Sequence, residues 1–274
     1  MKSDYSNLFS LKGKNIIVTG GLGYLGKECV KGFAQHGANL AIVDLDKTKT
    51  ESFAIEVAEK YKIKAIGISC DVSIEADIQK MIEQVMTTLG NIDVLFNNAA
   101  TKSRNLDAFF APFEDYSLEE WKKIMSVNLD GMFLVAKNVS KQMMKNDNGG
   151  SIIQTASIYG VVGPDHRIYN GSNFLNREIN SPAVYSASKA GVIGLTKYLA
   201  TYLAQYNIRV NTLTPGGLQS GQNEKFIQSY SDRVPLGRMG LVEEMVGAVI
   251  YMASDASSYM TGQNIIVDGG LTAW

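Results

Sequence analysis

Short apolar runs alternate with longer amphipathic stretches along nearly the whole chain. The apolar runs predict buried strands at 15–19, 39–43, 65–68, 93–96, 151–155, 208–213 and 264–267. Apolar residues spaced every three or four positions predict helices at 24–36, 47–60, 75–89, 117–145, 183–206 and 242–253. Strands that alternate with helices are typical of a parallel sheet covered on both faces. The pattern therefore predicts an α/β fold, a doubly wound parallel sheet of about seven strands, in a single domain over 1–274.

One segment interrupts this alternation. Residues 160–182 are polar, rich in Gly, Asn and Pro, and follow neither the helical nor the strand period. A loop of this length inside a compact domain usually has a function. We therefore interpret 160–182 as an inserted functional loop.

Charge and composition narrow the possible partners. The chain has 26 basic and 27 acidic residues and no basic block, so we expect neither nucleic acid nor an anionic membrane as a partner. No apolar run is long enough to cross a bilayer, and the polar N-terminus does not have the pattern of a signal peptide. Cys29 and Cys70 are typical of buried free thiols in a cytoplasmic protein. His36 and His166 are isolated, so we expect no metal site.

The predicted helix at 183–206 carries a candidate acid/base pair. Tyr185 and Lys189 are one helical turn apart, so the phenol and the ammonium group can share a face. A free tyrosine, with a pKa of about 10, transfers protons poorly at neutral pH. A fixed cation nearby favours the phenolate and lowers that pKa. Taken alone, the spacing is equally compatible with two surface residues.

A glycine-rich turn, TGGLGYLG at 19–26, follows the first predicted strand and opens the first predicted helix. Glycines permit a tight turn there and let the backbone approach a pyrophosphate at the helix N-terminus. We expect the dinucleotide contacts of this turn to come from Gly20, Leu22, Gly23, Tyr24, Leu25 and Gly26.

An acidic residue, Asp44, ends the second predicted strand. A carboxylate at that position can accept hydrogen bonds from the adenine-ribose hydroxyls and repels a 2′-phosphate. The glycine turn holds no Arg or Lys to offset this repulsion, so NAD is favoured over NADP. The alternative is that Asp44 only caps the next helix.

Two further loops follow strands at the edge where such sheets bind ligands. Asp71 and Val72 follow the third strand and are candidates for the adenine contact. Asn98, Ala99 and Ala100 follow the fourth strand and are candidates for the ribose contact. Each loop, viewed alone, is equally compatible with a purely structural role.

These motifs occur in the order found in the classical short-chain dehydrogenase/reductase (SDR) family, which the chain resembles over nearly its whole length. Further matches are VNLDG at 127–131, TASIYG at 155–160, YSASK at 185–189, NTLTPGG at 211–217 and TGQNIIVDGG at 261–270. The resemblance implies a Rossmann-type fold and an NAD(P)-dependent oxidoreductase that acts on CH–OH groups. It also implies a homodimer or homotetramer.

The resemblance assigns roles to four residues. It implies that Tyr185 is the general acid/base, that Lys189 tunes its pKa and binds the nicotinamide ribose, and that Ser157 stabilises the substrate oxygen. It implies that Asn128 holds a water that connects Lys189 to solvent. Ser157 could instead cap a loop, and Asn128 could instead satisfy buried backbone. The loop expected to receive the nicotinamide carboxamide contributes Pro215, Gly216, Leu218 and Ser220.

Three features depart from the family pattern. NNAA at 97–100 replaces the commoner NNAG, a change of one methyl group that we expect to cost little. Tyr24 replaces the usual middle glycine, and the resulting spacing is similar to that of the extended, sugar-nucleotide-modifying branch. Ser157 also lies farther from Tyr185 than in most members because 160–182 separates them. We expect this inserted segment to overhang the substrate site.

Polar residues in 160–182 and 101–116 indicate a small polar or charged substrate, because unpaired buried polar groups are costly. The chain is also similar to SDR members of bacterial surface-sugar and flagellin-glycan pathways, so we expect a sugar or sugar derivative. The alternative is that these residues form solvated loop surface. The candidate substrate contacts are Arg104, His166, Arg167, Tyr169 and Asn173.

Two rival functions remain open at this point. One is an epimerase or dehydratase that retains NAD and acts on a sugar nucleotide, although the short C-terminal part leaves little room for the substrate domain of that branch. The other is a non-catalytic NAD-binding regulator, which would not need Ser157, Tyr185 and Lys189 together.

We also expect copies of this chain to associate with one another. The helices at 117–145 and 183–206 carry more apolar residues than one face against the sheet requires, and such a surplus favours an interface. The residues in question are Met132, Met143, Tyr198, Tyr202 and Tyr206.

Overall fold

The computed structural model describes residues 5–103, 105–146, 148–174 and 177–274. Its main strands are β1 (Asn15–Thr19), β2 (Asn39–Asp44), β3 (Ala65–Ser69), β4 (Val94–Asn97), β5 (Gly150–Thr155), β8 (Ile208–Pro215) and β9 (Asn264–Val267). Two short strands, β6 (Asn173–Phe174) and β7 (Arg177–Glu178), pair with each other. The helices are α1 (Tyr24–Gln35), α2 (Lys47–Tyr61), α3 (Glu75–Leu89), α4 (Leu106–Phe109), α5 (Leu118–Met125), α6 (Met132–Met143), α7 (Ala183–Leu203), α8 (Glu224–Ser231) and α9 (Val246–Ala253).

The seven main strands form one sheet in the order β3-β2-β1-β4-β5-β8-β9, and every neighbouring pair is parallel. The predicted doubly wound α/β fold is therefore confirmed, and each predicted strand lies within two residues of an observed one. Strand order reverses between β1 and β4. In this architecture ligands bind outside the carboxyl ends of the strands at that point.

The central strands of the sheet are buried on both faces, which explains the apolar runs in β1, β2 and β4. In β1, Ile17 packs into the core shared with α3, α6 and α7, whereas Ile16 and Val18 pack into the core shared with α1, α2 and α9. This alternation follows from the two-residue period of a strand. None of the helices in the described ranges is both long and apolar enough to cross a lipid bilayer.

The helix predicted at 117–145 is divided. A π-helical turn, Ser126–Gly131, joins α5 to α6 and leaves the apolar spacing nearly unbroken, so the sequence pattern did not reveal it. The sequence also failed to predict α8, which has only eight residues and is too short for a clear period. Asn223 caps α8, because its side chain accepts a hydrogen bond from Phe226 N at 3.1 Å.

Residues 160–182 are more ordered than their composition suggests. A single helical turn, His166–Tyr169, precedes the β6–β7 pair. Asp165 forms an ion pair with Arg233 at 3.0 Å, just beyond α8. Asn180 Nδ2 donates to the Phe110 carbonyl at 2.8 Å. The segment is thus attached at both ends to neighbouring parts of the chain.

The residues expected to form an interface divide into two groups. Met132 and Met143 are buried inside the protomer, so the expectation that they are surplus surface residues was wrong. Their side chains face the sheet layer and neighbouring helices. Tyr198 and Tyr202 on α7 are at least half exposed, and their rings stack at 5.9 Å. Association through α7 stays a prediction.

Candidate functional site

The glycine turn between β1 and α1 depends on close backbone contacts. Gly20 has a φ of +65°, and a Cβ built on it would lie 3.0 Å from Ala99 Cα. A Cβ on Gly26 would lie 2.0 Å from the Gly20 carbonyl oxygen. Gly23 occupies the N-cap position of α1 and has no side chain to cap it. The first N–H groups of α1 therefore lie at an uncapped helix terminus, which is suited to a phosphate.

Asp44 is held by this turn. Its Oδ2 accepts a hydrogen bond from Leu22 N at 3.0 Å, and its Oδ1 accepts from Leu45 N at 2.8 Å. The helix-capping alternative for Asp44 was wrong, because Asp46 caps α2 by accepting from Lys49 N at 3.0 Å. Asp44 instead fixes the glycine turn against the end of β2.

A cleft of about 530 Å³ lies along the carboxyl ends of β1, β2 and β4, and we call it the outer cleft. Asp71 lies in it with one carboxylate oxygen bonded to the backbone and hydroxyl of Ser73. Gly26 lies behind the turn, packed against Gly20. The predicted dinucleotide contacts that line the outer cleft are Gly20, Leu22, Gly23, Tyr24, Leu25, Asp44, Asp71, Val72, Asn98, Ala99 and Ala100.

Tyr24 does not fill the outer cleft. Its side chain is half exposed, and its hydroxyl donates to the Gln219 carbonyl at 2.7 Å. The tyrosine that replaces the usual glycine thus links the glycine turn to the loop after β8.

A second cavity of about 330 Å³ adjoins the outer cleft, and we call it the inner cavity. Leu25, Asn98 and Ala100 line both. The structure brings three of the four predicted catalytic residues and three of the four predicted carboxamide-loop residues to the inner cavity. They are Ser157, Tyr185, Lys189, Pro215, Gly216 and Leu218.

Ser220 is exposed and does not line the inner cavity. Its backbone N–H donates to Gln222 Oε1 at 2.7 Å, and Gln222 lines the cavity in its place. The sequence did not identify Gln222, because nothing in the motif shows which side chain of an irregular loop turns inward.

Ser157 and Tyr185 both lie on the wall of the inner cavity. Burial raises the pKa of the Tyr185 phenol, and the hydrogen bond from the Ser157 hydroxyl acts in the opposite direction. Ser157 Oγ also accepts from Tyr159 N at 3.3 Å, which leaves the serine proton for the phenol oxygen. The structure does not show the expected lowering of the pKa of Tyr185 by Lys189, since desolvation is the largest effect.

Lys189 is buried, and its Nζ donates to the Thr155 carbonyl at 2.9 Å. Its Nζ lies 6.0 Å from the centre of the Tyr185 ring. Burial lowers the pKa of the lysine from 10.5 to about 8. The ammonium group is therefore fixed beside the phenol but only marginally protonated at mildly alkaline pH.

Asn128 lies in the π-helical turn and is completely buried. Its Oδ1 accepts from Thr101 N at 2.8 Å, and its Nδ2 donates to the Thr101 carbonyl. It thus satisfies a buried loop backbone, which is the structural alternative that the sequence left open.

Of the candidate substrate contacts, some line the inner cavity and others do not. Tyr169 lines the inner cavity. His166, Arg167 and Asn173 are exposed and do not line it, contrary to our expectation. Arg167 does not line the cavity because its guanidinium group forms a bidentate hydrogen bond with the Asp165 carboxylate, with both distances 2.8 Å. Arg104 lies outside the described residues.

Aromatic residues that the sequence did not identify complete the inner cavity. Tyr159 lies two positions after Ser157, so the TASIYG match already contained a signal for it. Phe226 and Tyr230 come from α8, which the sequence did not predict, and Met239 comes from the loop that follows. The cavity wall is consequently more aromatic than the polar loops indicated.

Comparison with known proteins gives consistent matches. A sequence model described as short chain dehydrogenase matches residues 14–230. The 3-oxoacyl-[acyl-carrier-protein] reductase FabG of Thermotoga maritima is 37% identical over 265 residues, covering 95% of this chain and 98% of that protein. The NADH-dependent L-xylulose reductase of Ambrosiozyma monospora is 32% identical over 292 aligned positions, covering 99% of this chain and 100% of that protein.

A solved structure agrees with these sequence matches. The gluconate 5-dehydrogenase from Burkholderia cenocepacia J2315, crystallised in complex with NADP and tartrate, has a TM-score of 0.86 to this chain. The two are 30% identical, and the match covers 98% of each chain.

The buried lysine predicts a specific pH dependence of stability. The folded Lys189 loses its proton near pH 8, whereas an unfolded lysine keeps it to about 10.5. Between these values the unfolded chain binds more protons, so the stability of the wild type rises with pH. Relative to Lys189→Met, the wild type should gain about 2 kcal/mol between about pH 7.5 and 10. Urea unfolding of both proteins across this range measures the difference, and parallel pH profiles would contradict it.

Proposed function

The chain belongs to the short-chain dehydrogenase family, and we propose that it is an NAD-dependent oxidoreductase that interconverts a hydroxyl and a keto group on a small sugar or sugar derivative. The observation that carries this proposal is that Ser157, Tyr185 and Lys189 line one cavity, with Lys189 Nζ 6.0 Å from the centre of the Tyr185 ring. This cavity is continuous with the outer cleft at Leu25, Asn98 and Ala100. A reacting carbon beside Tyr185 is therefore within reach of a long ligand that lies along the cleft.

The outer cleft has the chemistry that a dinucleotide requires. Gly20 and Gly26 leave no room for a Cβ, so the backbone can approach a pyrophosphate at the uncapped start of α1. Asp44 offers carboxylate oxygens to ribose hydroxyls at the end of β2, and Asp71 lies farther along the cleft. When bound, NAD supplies or accepts the hydride.

Tyr185 is the proposed proton donor and acceptor. Because burial raises its pKa, the phenol is protonated at neutral pH and can donate to the oxygen of a keto group. Ser157 donates to the same oxygen and stabilises the negative charge that develops on it. In the oxidative direction Tyr185 must accept a proton, and the Lys189 ammonium then stabilises the phenolate.

Asn128 has a supporting role in this proposal. It holds the Thr101 backbone, which lines the outer cleft, and so positions the loop after β4. This role does not require the water-mediated contact with Lys189 that the family resemblance implies.

Two relatives support a carbohydrate substrate. One is named as an L-xylulose reductase and the other as a gluconate 5-dehydrogenase. The 3-oxoacyl-carrier reductase supports a second candidate, reduction of a 3-keto acyl thioester, and the aromatic and aliphatic part of the inner cavity is compatible with it. The small volume of the inner cavity and the hydroxyl-bearing residues in its wall, among them Ser157, Tyr159, Tyr169 and Tyr185, favour the sugar.

A tyrosine substitution tests the proposed chemistry. Tyr185→Phe should reduce turnover of sugars or polyols about 100-fold or more, because the proton donor is lost, while NAD binding persists. Steady-state kinetics and a fluorescence titration with NADH measure the two effects. Tyr198→Phe on the exposed side of α7 is the control and should change neither.

The same experiment distinguishes the rival functions. Full turnover by Tyr185→Phe would contradict the proposed mechanism. Activity of the wild type on a sugar nucleotide with no net formation of NADH would indicate an epimerase or dehydratase. Absence of turnover by the wild type with sugars, polyols and 3-keto acyl thioesters would leave a non-catalytic regulator.

A second substitution tests the cofactor. Asp44→Asn keeps an oxygen for Leu22 N but removes the charge that repels a 2′-phosphate. The ratio of kcat/KM for NAD to that for NADP should fall about tenfold or more. Asp46→Asn, which retains a good helix cap and lies two residues away, should leave the ratio unchanged. A wild type that prefers NADP would contradict the prediction.

A further inference from the structure

Two of the phenols that line the inner cavity, those of Tyr159 and Tyr169, are hydrogen-bonded to each other and have no role in the proposed reaction. We propose that Tyr159 and Tyr169 bind a second hydroxyl group of the substrate, on the carbon next to the one that reacts. The preferred substrates are then vicinal diols in the oxidative direction and α-hydroxy ketones in the reductive direction. This inference rests on the proposed function and specifies its substrate class.

The two phenols converge from different parts of the chain. Tyr159 follows Ser157 by two positions, and its backbone N–H donates to Ser157 Oγ at 3.3 Å. Tyr169 comes from the inserted segment 160–182, and the two phenol oxygens lie 3.2 Å apart. Both side chains line the inner cavity together with Tyr185. The pair is therefore adjacent to the residues proposed to hold the reacting oxygen.

Both phenols remain neutral hydrogen-bonding groups at physiological pH. Burial raises the pKa of Tyr159 and the pKa of Tyr169 above that of a free tyrosine. The charge state of Tyr185 influences both, which is consistent with three phenols around one cavity. Neutral phenols donate and accept, so they suit a hydroxyl group better than a carboxylate or a phosphate.

Hydrogen-bond accounting leaves one proton for a ligand. The two phenols carry two protons, and one of these lies between the two oxygens. When Tyr169 donates to Tyr159, the Tyr159 proton is available to the substrate. A substrate that lacks the matching hydroxyl leaves this buried donor unpaired, which costs binding energy.

The pair is also held in place. The Tyr169 ring packs on Phe226 with 5.5 Å between centroids, and Phe226 packs on Tyr230 at 6.0 Å. The Tyr230 hydroxyl accepts a hydrogen bond from Gly217 N in the loop after β8. A recognition group that is fixed before binding loses little entropy when the substrate arrives.

The remaining wall of the inner cavity is mixed in character. Ile158, Leu218 and Met239 offer apolar surface, and Asn98 and Gln222 also line the cavity. The contact that the phenol pair adds is therefore specific to the carbon next to the reacting one. A sugar or polyol that carries a hydroxyl group on that carbon satisfies it.

The test compares matched substrates in three variants. The wild type, Tyr159→Phe, Tyr169→Phe and the control Tyr198→Phe are assayed with NAD on four- to six-carbon vicinal diols and on the mono-alcohols that lack the second hydroxyl. The wild type should prefer the diols, and the ratio of kcat/KM for diol to that for mono-alcohol should fall about tenfold in each cavity variant. The control should retain the wild-type ratio.

Thermal unfolding shows whether each variant is folded. If Tyr169→Phe unfolds, Tyr159→Phe decides the result, because it removes the hydroxyl group on the other side of the same hydrogen bond.

The outcomes separate the inference from the function on which it rests. An unchanged ratio in the folded cavity variants would overturn the role of the phenol pair and leave the oxidoreductase proposal intact. A wild type that favours mono-alcohols would do the same. Failure of the wild type to oxidise any sugar, diol or mono-alcohol, or to reduce the matching ketones with NADH, would overturn both.

Discussion

The site depends on one buried hydrogen bond, from the Lys189 ammonium group to the Thr155 carbonyl at the carboxyl end of β5. This bond ties α7 to the sheet. Ser157 follows Thr155 by two residues, and Tyr185 precedes Lys189 by one helical turn, so the same contact brings the serine and the phenol together. Burying the ammonium group removes its charge from water, which is unfavourable. The same desolvation lowers the pKa of Lys189.

Much of the fold could be predicted because buried apolar residues recur with a fixed spacing in its strands and helices. Strands buried on both faces favour apolar runs, and β1, β2 and β4 have such runs, whereas β8 mixes apolar with polar residues. Short elements could not be predicted in this way. Helix α8 is too short to show a period. The π-helical turn before α6 keeps nearly the same apolar spacing as an α-helix. The pattern reports burial but does not distinguish surplus surface from core, so Met132 and Met143 were misjudged.

The candidate site was predictable only where backbone geometry fixes the direction of a side chain. Ser157, Tyr185 and Lys189 follow a strand or share a helix face, and the structure brings them to one cavity. In irregular segments the composition indicates polarity and not orientation. Arg167 therefore pairs with Asp165 at the surface, while the less conspicuous Tyr159 lines the cavity. Similarly, only coordinates show that Tyr24 reaches Gln219.

The contacts from Tyr169 through Phe226 and Tyr230 to Gly217 connect the inserted segment to the loop after β8. All four residues line the inner cavity. Because the rings are packed against one another, a change in the size of any one of them must be accommodated by its neighbours. The inserted segment and the loop after β8 thus form one packed wall, and a substitution on either side reshapes the cavity from both.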